Sequence, residues 1–146
     1  EFRRVLFRSL SATANANVGN IGTGGLITAT GNISGLNIIA STNHVYSVAT
    51  GVSAAGTVQG NATAITKDLN VVSTVASGAG VILPVVAGLR MAVINTSANA
   101  LLVYPGTNGI INSLAANAAY SLPAGGKLDF ASTTTTQWYT LNGTYA

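Results

Sequence analysis

Few side chains in this sequence have chemistry to offer. Hydrolytic triads and metal sites need a histidine with a carboxylate or a second ligand beside it, and the only histidine is His44, in the string TNHVYS. The acidic residues are Glu1, Asp68 and Asp129, none of them near it in sequence. His44 therefore reads as an exposed residue outside any catalytic group. An acid–base pair built from Asp68 and Asp129 exists on paper. Each, however, sits beside or close to a lysine in a strand-like segment, the pattern of a solvated face. Cysteine is absent, which excludes disulfides and thiol chemistry and leaves the compartment open.

Glycine strings that could cradle a phosphate are incomplete. AGGKLD (124–129) lacks the earlier glycine and the hydroxyl after lysine that a phosphate loop requires, and reads as a hairpin turn. GTGG (22–25) lacks a strand–turn–helix context. No cofactor, no metal and no enzymatic activity are expected. Among the aromatics, Trp138 and Tyr139 are adjacent and must face opposite sides of a strand. Trp138 is expected in the core, with sugar stacking as its alternative. Tyr104, Tyr120, Tyr139 and Tyr145 are the candidate receptor or glycan contacts, although tyrosine is equally at home on any half-buried strand.

The elements that would position these residues follow from composition. The apolar share is 48% and the mean hydropathy +0.47. The longest apolar stretches, VILPVVAGL (81–89) and ALLVY (100–104), fall well short of the ~20 residues of a membrane helix. No membrane insertion is expected, and high hydropathy with low charge also excludes disorder. Residues 18–60 repeat loosely, TATGNISG (28–35) aligning with SAAGTVQG (53–60). Gly31, Gly51 and Gly56 each follow a small or hydroxyl residue, as turns needing positive φ would require. Strands this short and poor in large side chains need stacked copies or neighbouring chains to stay folded.

From residue 61 the texture changes to longer strands, expected at 64–75, 81–83, 89–95, 101–104, 119–122, 127–131 and 137–141, with turn signals between them. In 127–130, Leu128 and Phe130 fall on one face and Lys127 and Asp129 on the other. The fold class is all-β: a short Gly-rich β-repeat segment (10–60), then a C-terminal antiparallel β-sandwich or barrel-like module (61–146) expected to fold without the repeats.

Residues 1–9, EFRRVLFRS, carry Arg3, Arg4 and Arg8, half of the six basic residues. They resemble, codon by codon, the conceptual translation of a widely used sequencing adapter. They are accordingly read as an artefact rather than a targeting peptide or nucleic-acid arm. The native sequence is expected to start near Leu10 and to continue upstream of it. Without them the charged residues are Lys67, Asp68, Arg90, Lys127 and Asp129, so the pI of about 9.6 loses its main source and no nucleic-acid partner is expected. Deleting residues 1–9 is expected to leave Tm within a few degrees. A larger fall, equivalent to about 1 kcal/mol or more, would show that they belong to the fold.

The segment 65–141 resembles a β-module at the ends of structural proteins of tailed bacteriophages. The likeness rests on Gly80 to Pro84, Val93 to Asn95, Asn99, Val103 to Pro105, Ile111, Asn112, Leu122, Phe130 and Trp138, in that order. ATGNISG is similar to repeats of phage tail-fibre shafts. The resemblance implies a virion structural protein, the C-terminal part of a tail fibre or appendage. It would be homotrimeric, joined to other virion proteins through upstream sequence, and would attach to a host-surface glycan or protein. A capsid decoration or head-fibre protein, and a bacterial surface adhesin, are the alternatives.

Overall fold

β-Branched and aromatic runs punctuated by Gly, Pro and Asn leave no segment for a long helix, and the chain folds as an all-β structure. The computed structural model describes residues 45–141. Its strands are β1 (Val48–Ala54), β2 (Thr63–Ala64), β3 (Leu69–Val75), β4 (Gly80–Ile82), β5 (Arg90–Asn95), β6 (Leu101–Tyr104), β7 (Ile110–Ile111), β8 (Tyr120–Leu122), β9 (Lys127–Ser132) and β10 (Gln137–Leu141), with one 3-10 turn at Gln59–Asn61. The repeats ahead of residue 45, with Gly31 and His44, and Tyr145 near the other end lie outside the described residues.

The strands form a six-stranded sheet in the order β1-β3-β5-β9-β10-β7 and a four-stranded sheet in the order β2-β4-β6-β8. Up to β6 the chain alternates between them, and each return is parallel to the previous pass. Leu69 lies beside Val48 and Ala92 beside Leu69 in one sheet, Val81 beside Thr63 and Val103 beside Val81 in the other. A parallel partner needs a long crossover, and here the crossover is itself a strand of the opposite sheet. After β6 the winding stops. β8 runs antiparallel to β6, β9 antiparallel to β5, and β10 antiparallel to β9.

The sheets are thus mixed, and the expected antiparallel arrangement is corrected: five of the eight pairings are parallel. The reason is visible at the corners. The Pro123–Gly126 turn, closed by Gly126 N donating to Pro123 O at 2.9 Å, joins β8 of one sheet to β9 of the other. It is an intersheet corner, not the hairpin that AGGKLD suggested. Among the described residues the one strand pair joined directly as a hairpin is β9–β10, where Thr134 Oγ1 accepts from Gln137 N at 3.0 Å.

Trp138, Phe130, Met91, Val93 and Val72 from the larger sheet pack with Leu83, Leu101, Val81, Val103 and Leu122 from the smaller sheet and its corners, all buried. Lys127 is exposed and Asp129 half-buried on the reverse face, so the alternation read at 127–130 holds. Trp138 is 0% exposed and Tyr139 43%, placing them on opposite faces as expected.

A boundary at residue 60/61 falls inside this module. β1 is its edge strand, and Ala54 and Val52 pack on the core. Gly51 and Gly56 have φ of +71° and +72°, as expected, but Gly51 sits in a bulge of β1 where the register with β3 shifts. Gly80 is required for another reason: a Cβ there would stand 2.7 Å from both the Leu102 carbonyl oxygen and the Tyr104 ring. Gly80→Val is expected to destabilise the module by about 2 kcal/mol through overpacking, read as a lower urea midpoint with an unchanged m-value.

Candidate functional site

Outward-facing residues of β3, β5, β9 and β10 fall into register rows, because a sheet places every second side chain on the same face. One row runs Val48, Leu69, Ala92, Asp129, Leu141 across five strands. Flanking rows are Arg90, Ala131, Tyr139 on one side and Val71, Ile94, Lys127 on the other. The outer face of the larger sheet therefore carries a strip of small and aliphatic residues edged by charge.

Two adjoining hollows lie on this face. The larger, of about 260 Å³, is lined by Tyr46, Asp68, Leu69, Arg90, Ala92 and Asp129. The smaller is lined by Ala92, Ile94, Lys127, Leu128, Asp129 and Leu141. Asp68, Arg90, Lys127 and Asp129 are four of the five charged residues described, and the fifth, Lys67, precedes Asp68 in its loop.

The charged groups are held in place. Arg90 Nη2 donates to Asp129 Oδ2 at 2.6 Å, the side chains being 65% and 26% exposed. That hydrogen bond, and then the carboxylate's charge, hold the Arg90 guanidinium above its ordinary pKa. Asp68 Oδ2 accepts from Ser47 N at 2.8 Å and Ser47 Oγ at 2.7 Å, while Asp68 N donates to Ser47 Oγ at 3.1 Å. This reciprocal clamp fixes the strand entry that carries Tyr46. Asp129 is thus paired with Arg90 across strands and not with the nearby Lys127. The fold brings Asp68 and Asp129 to the lining of one cleft, although the sequence reading set their pairing aside in favour of a solvated face.

The candidate tyrosines do not form one surface. Tyr104 is 7% exposed, and its hydroxyl donates to Thr57 O at 3.0 Å inside the fold. Tyr120 packs edge-on against Phe130, ring centroids 6.0 Å apart. Tyr139 alone is on the outer face, and Tyr145 lies outside the described residues. Tyr46, 63% exposed at the rim of the cleft, had not been singled out. The signal that could have found the site is the shared alternation of RMAVIN and KLDFAS: paired antiparallel, they set Arg90 diagonally across from Asp129.

The motif residues behind the phage resemblance do structural work. Asn95, 0% exposed, donates through Nδ2 to the carbonyls of Asn99 at 2.8 Å, Pro123 at 3.0 Å and Leu122 at 3.3 Å, and accepts at Oδ1 from Ser97 N and Oγ. Asn99 Nδ2 donates to Val75 O at 2.8 Å. Asn112, at φ +54°, accepts at Oδ1 from Thr140 N at 3.0 Å, standing in for a strand neighbour of β10. These asparagines supply hydrogen-bond partners to backbone groups at the corners of the module.

Among the described residues no group of three or more His, Cys, Asp or Glu side chains could hold a metal ion, and no helix is long and apolar enough to cross a membrane. Comparison with protein-family models, with curated proteins and with solved structures found no match.

Proposed function

We propose that the chain is a virion structural protein of a tailed bacteriophage, the C-terminal part of a tail fibre or related appendage, acting in host-surface attachment without catalysis. The observation that carries this reading is the asymmetry of the winding. On one side the parallel passes are closed off by antiparallel β8, β9 and β10. On the other, the sheets end in β1 and β2, which belong to the parallel winding itself, whereas the opposite edges are the short β7 and the antiparallel β8. A module of this kind ends a repetitive β-structure, as the tip of a fibre must, with short outer edge strands, β7 and β8, that offer little for further pairing.

The working assembly is a homotrimer joined to the particle through upstream sequence. Multiple tips would convert weak contacts into avidity. Light scattering of residues 10–146 is expected to report a trimer, and Ile33→Asp with Ile38→Asp to weaken it by placing charge at the contact. A stable monomer at high micromolar concentration would remove the fibre reading and put the capsid decoration reading ahead. Immunogold labelling of particles separates the two directly, at the tail or on the capsid shell. A bacterial surface adhesin would instead label the cell surface.

A further inference from the structure

We infer that the outer face of the larger sheet pairs with the same face of a second copy of this chain, in one twofold register set by Lys127, Asp129, Ile94 and Ala92. The inference goes beyond the attachment reading and does not rest on it. Two neighbouring rows of the sheet carry it. Leu69, Ala92 and Asp129 share one row on β3, β5 and β9, and Val71, Ile94 and Lys127 share the next. Lys127 is exposed and the other five are half-buried. Lys127 has no ion-pair partner among the described residues, and Arg90 takes Asp129 Oδ2 while Oδ1 accepts no hydrogen bond among them.

Two identical faces related by a twofold axis fit only where each residue meets one that suits it. With the axis across the strands and over the first row, Asp129 meets Asp129 and Ala92 meets Ala92, a like-charge contact beside a void. Over the second row, Lys127 meets Lys127 and Ile94 meets Ile94. With the axis along the strands between β5 and β9, each charge is buried against an aliphatic group, which is costly. Midway between the rows every contact joins unlike groups. Lys127 lies over the partner copy's Asp129, Ile94 over its Ala92 and Val71 over its Leu69, and each contact occurs twice.

That reciprocal match of charge and size is what names a second copy as the occupant. The smaller hollow, of about 190 Å³, is lined by members of both rows and opens at this axis, where Ala92 leaves depth for the partner copy's Ile94. Packed sheets lie about 10 Å apart with strands within about 30° of each other, a gap that a lysine side chain spans. Strand and row spacings give a contact of roughly 300 Å² per copy in projection. Stable complexes use about 800 Å² per partner. The pairing is therefore weak, with a Kd on the order of 100 μM, and gains where assembly already concentrates copies. In the homotrimer proposed above it joins one assembly to another.

The test is sedimentation velocity on the full chain, from well below to several times that Kd. The weight-average mass is expected to rise to twice its low-concentration value or more, whatever that value is, so the trimer and this contact are read separately. Lys127→Glu and Asp129→Lys should each hold the mass at the low value, because like charge then faces like charge. Mixed in equal amounts, the two variants should regain the rise. The new carboxylate of one then lies over the new ammonium of the other, and the native Asp129 of the first over the native Lys127 of the second. Ala92→Phe, which fills the hollow, should also hold the mass low, and Thr134→Ala, in the β9–β10 turn, should leave the rise unchanged. Circular dichroism and Tm confirm that each variant is folded; the ion pair lost in Asp129→Lys is largely exposed on its Arg90 side and weak. If Asp129→Lys unfolds, Lys127→Glu and Ala92→Phe still decide. No rise for the native chain, a rise that survives Lys127→Glu or Ala92→Phe in a folded protein, a rise lost in Thr134→Ala, or no recovery in the mixture of folded variants overturns the proposal. A face built for a different protein gives the first of these results.

Discussion

A chain beginning at residue 61 is expected to lose the cooperative unfolding transition that a chain beginning at residue 42 retains. Its deletion strips β1 from β3, so that a buried strand becomes an edge, and uncovers the core where Val52 and Ala54 pack. It also removes acceptors and donors that the rest of the module uses. Tyr104 Oη loses the Thr57 carbonyl, Gly80 N loses the Gly56 carbonyl at 3.0 Å, and the carbonyls of Pro105 and Gly106 lose Gln59 Nε2 at 2.8 and 3.0 Å. At about 1 kcal/mol for each lost hydrogen bond, and more where a buried partner is left unpaired, the polar loss alone is roughly 4 kcal/mol. Lost apolar burial adds to it. The total is comparable with the whole stability of a small domain, about 5–15 kcal/mol. Thermal unfolding followed by circular dichroism decides the matter. A sharp transition in the shorter chain, with Tm within a few degrees of the longer, would show that β1 and the 3-10 turn are peripheral.

That expectation reverses the boundary drawn from sequence, and the reason is specific. VATGVSA contains Gly51 and no large side chain, so it reads like the degenerate repeats before it. Only the bulge at Gly51, which periodicity does not reveal, lets it follow β3. Where side-chain alternation is strong, the sequence was sufficient. β6 and β10 begin and end where expected, and Trp138, Phe130 and Leu128 are buried as read. The 64–75 segment was expected as one strand; it splits into β2 and β3, one in each sheet, with Ile65 buried at the crossing. Strand direction was not legible. A turn such as PAGG has the same local chemistry whether it closes a hairpin or crosses between sheets, and only the destination of the next strand distinguishes them. The cleft was hidden for the same reason. Tyr46, Asp68, Arg90 and Asp129 come from four separate stretches, and only the parallel register of β3 and β5 with the antiparallel register of β9 brings them together.

Two fully buried asparagines give the sharpest contrast in the module. Asn95→Ala is expected to destabilise it by about 3 kcal/mol and Asn70→Ala by clearly less. Both residues are 0% exposed, so burial alone predicts equal effects. Their hydrogen bonding differs. Asn95 uses both amide atoms at the corner where β5 meets the Ser97–Asn99 turn and the Pro123 corner; its loss takes a donor from three carbonyls, of which Pro123 O keeps Gly126 N and Asn99 O keeps Ser97 Oγ, and takes the side-chain acceptor from the Ser97 N–H. Asn70 Nδ2 reaches Lys67 O at 2.6 Å and Ala92 O at 3.4 Å, but its Oδ1 is buried with no hydrogen-bond partner. Removing Asn70 therefore relieves one unsatisfied acceptor while giving up one good hydrogen bond, and the two terms oppose each other. For Asn95 every term has the same sign. With roughly 4–8 °C of Tm per kcal/mol for a domain of this size, Asn95→Ala should fall by about 12 °C or more. Equal losses for the two variants would mean that cavity formation, and not backbone satisfaction at the corners, governs these sites.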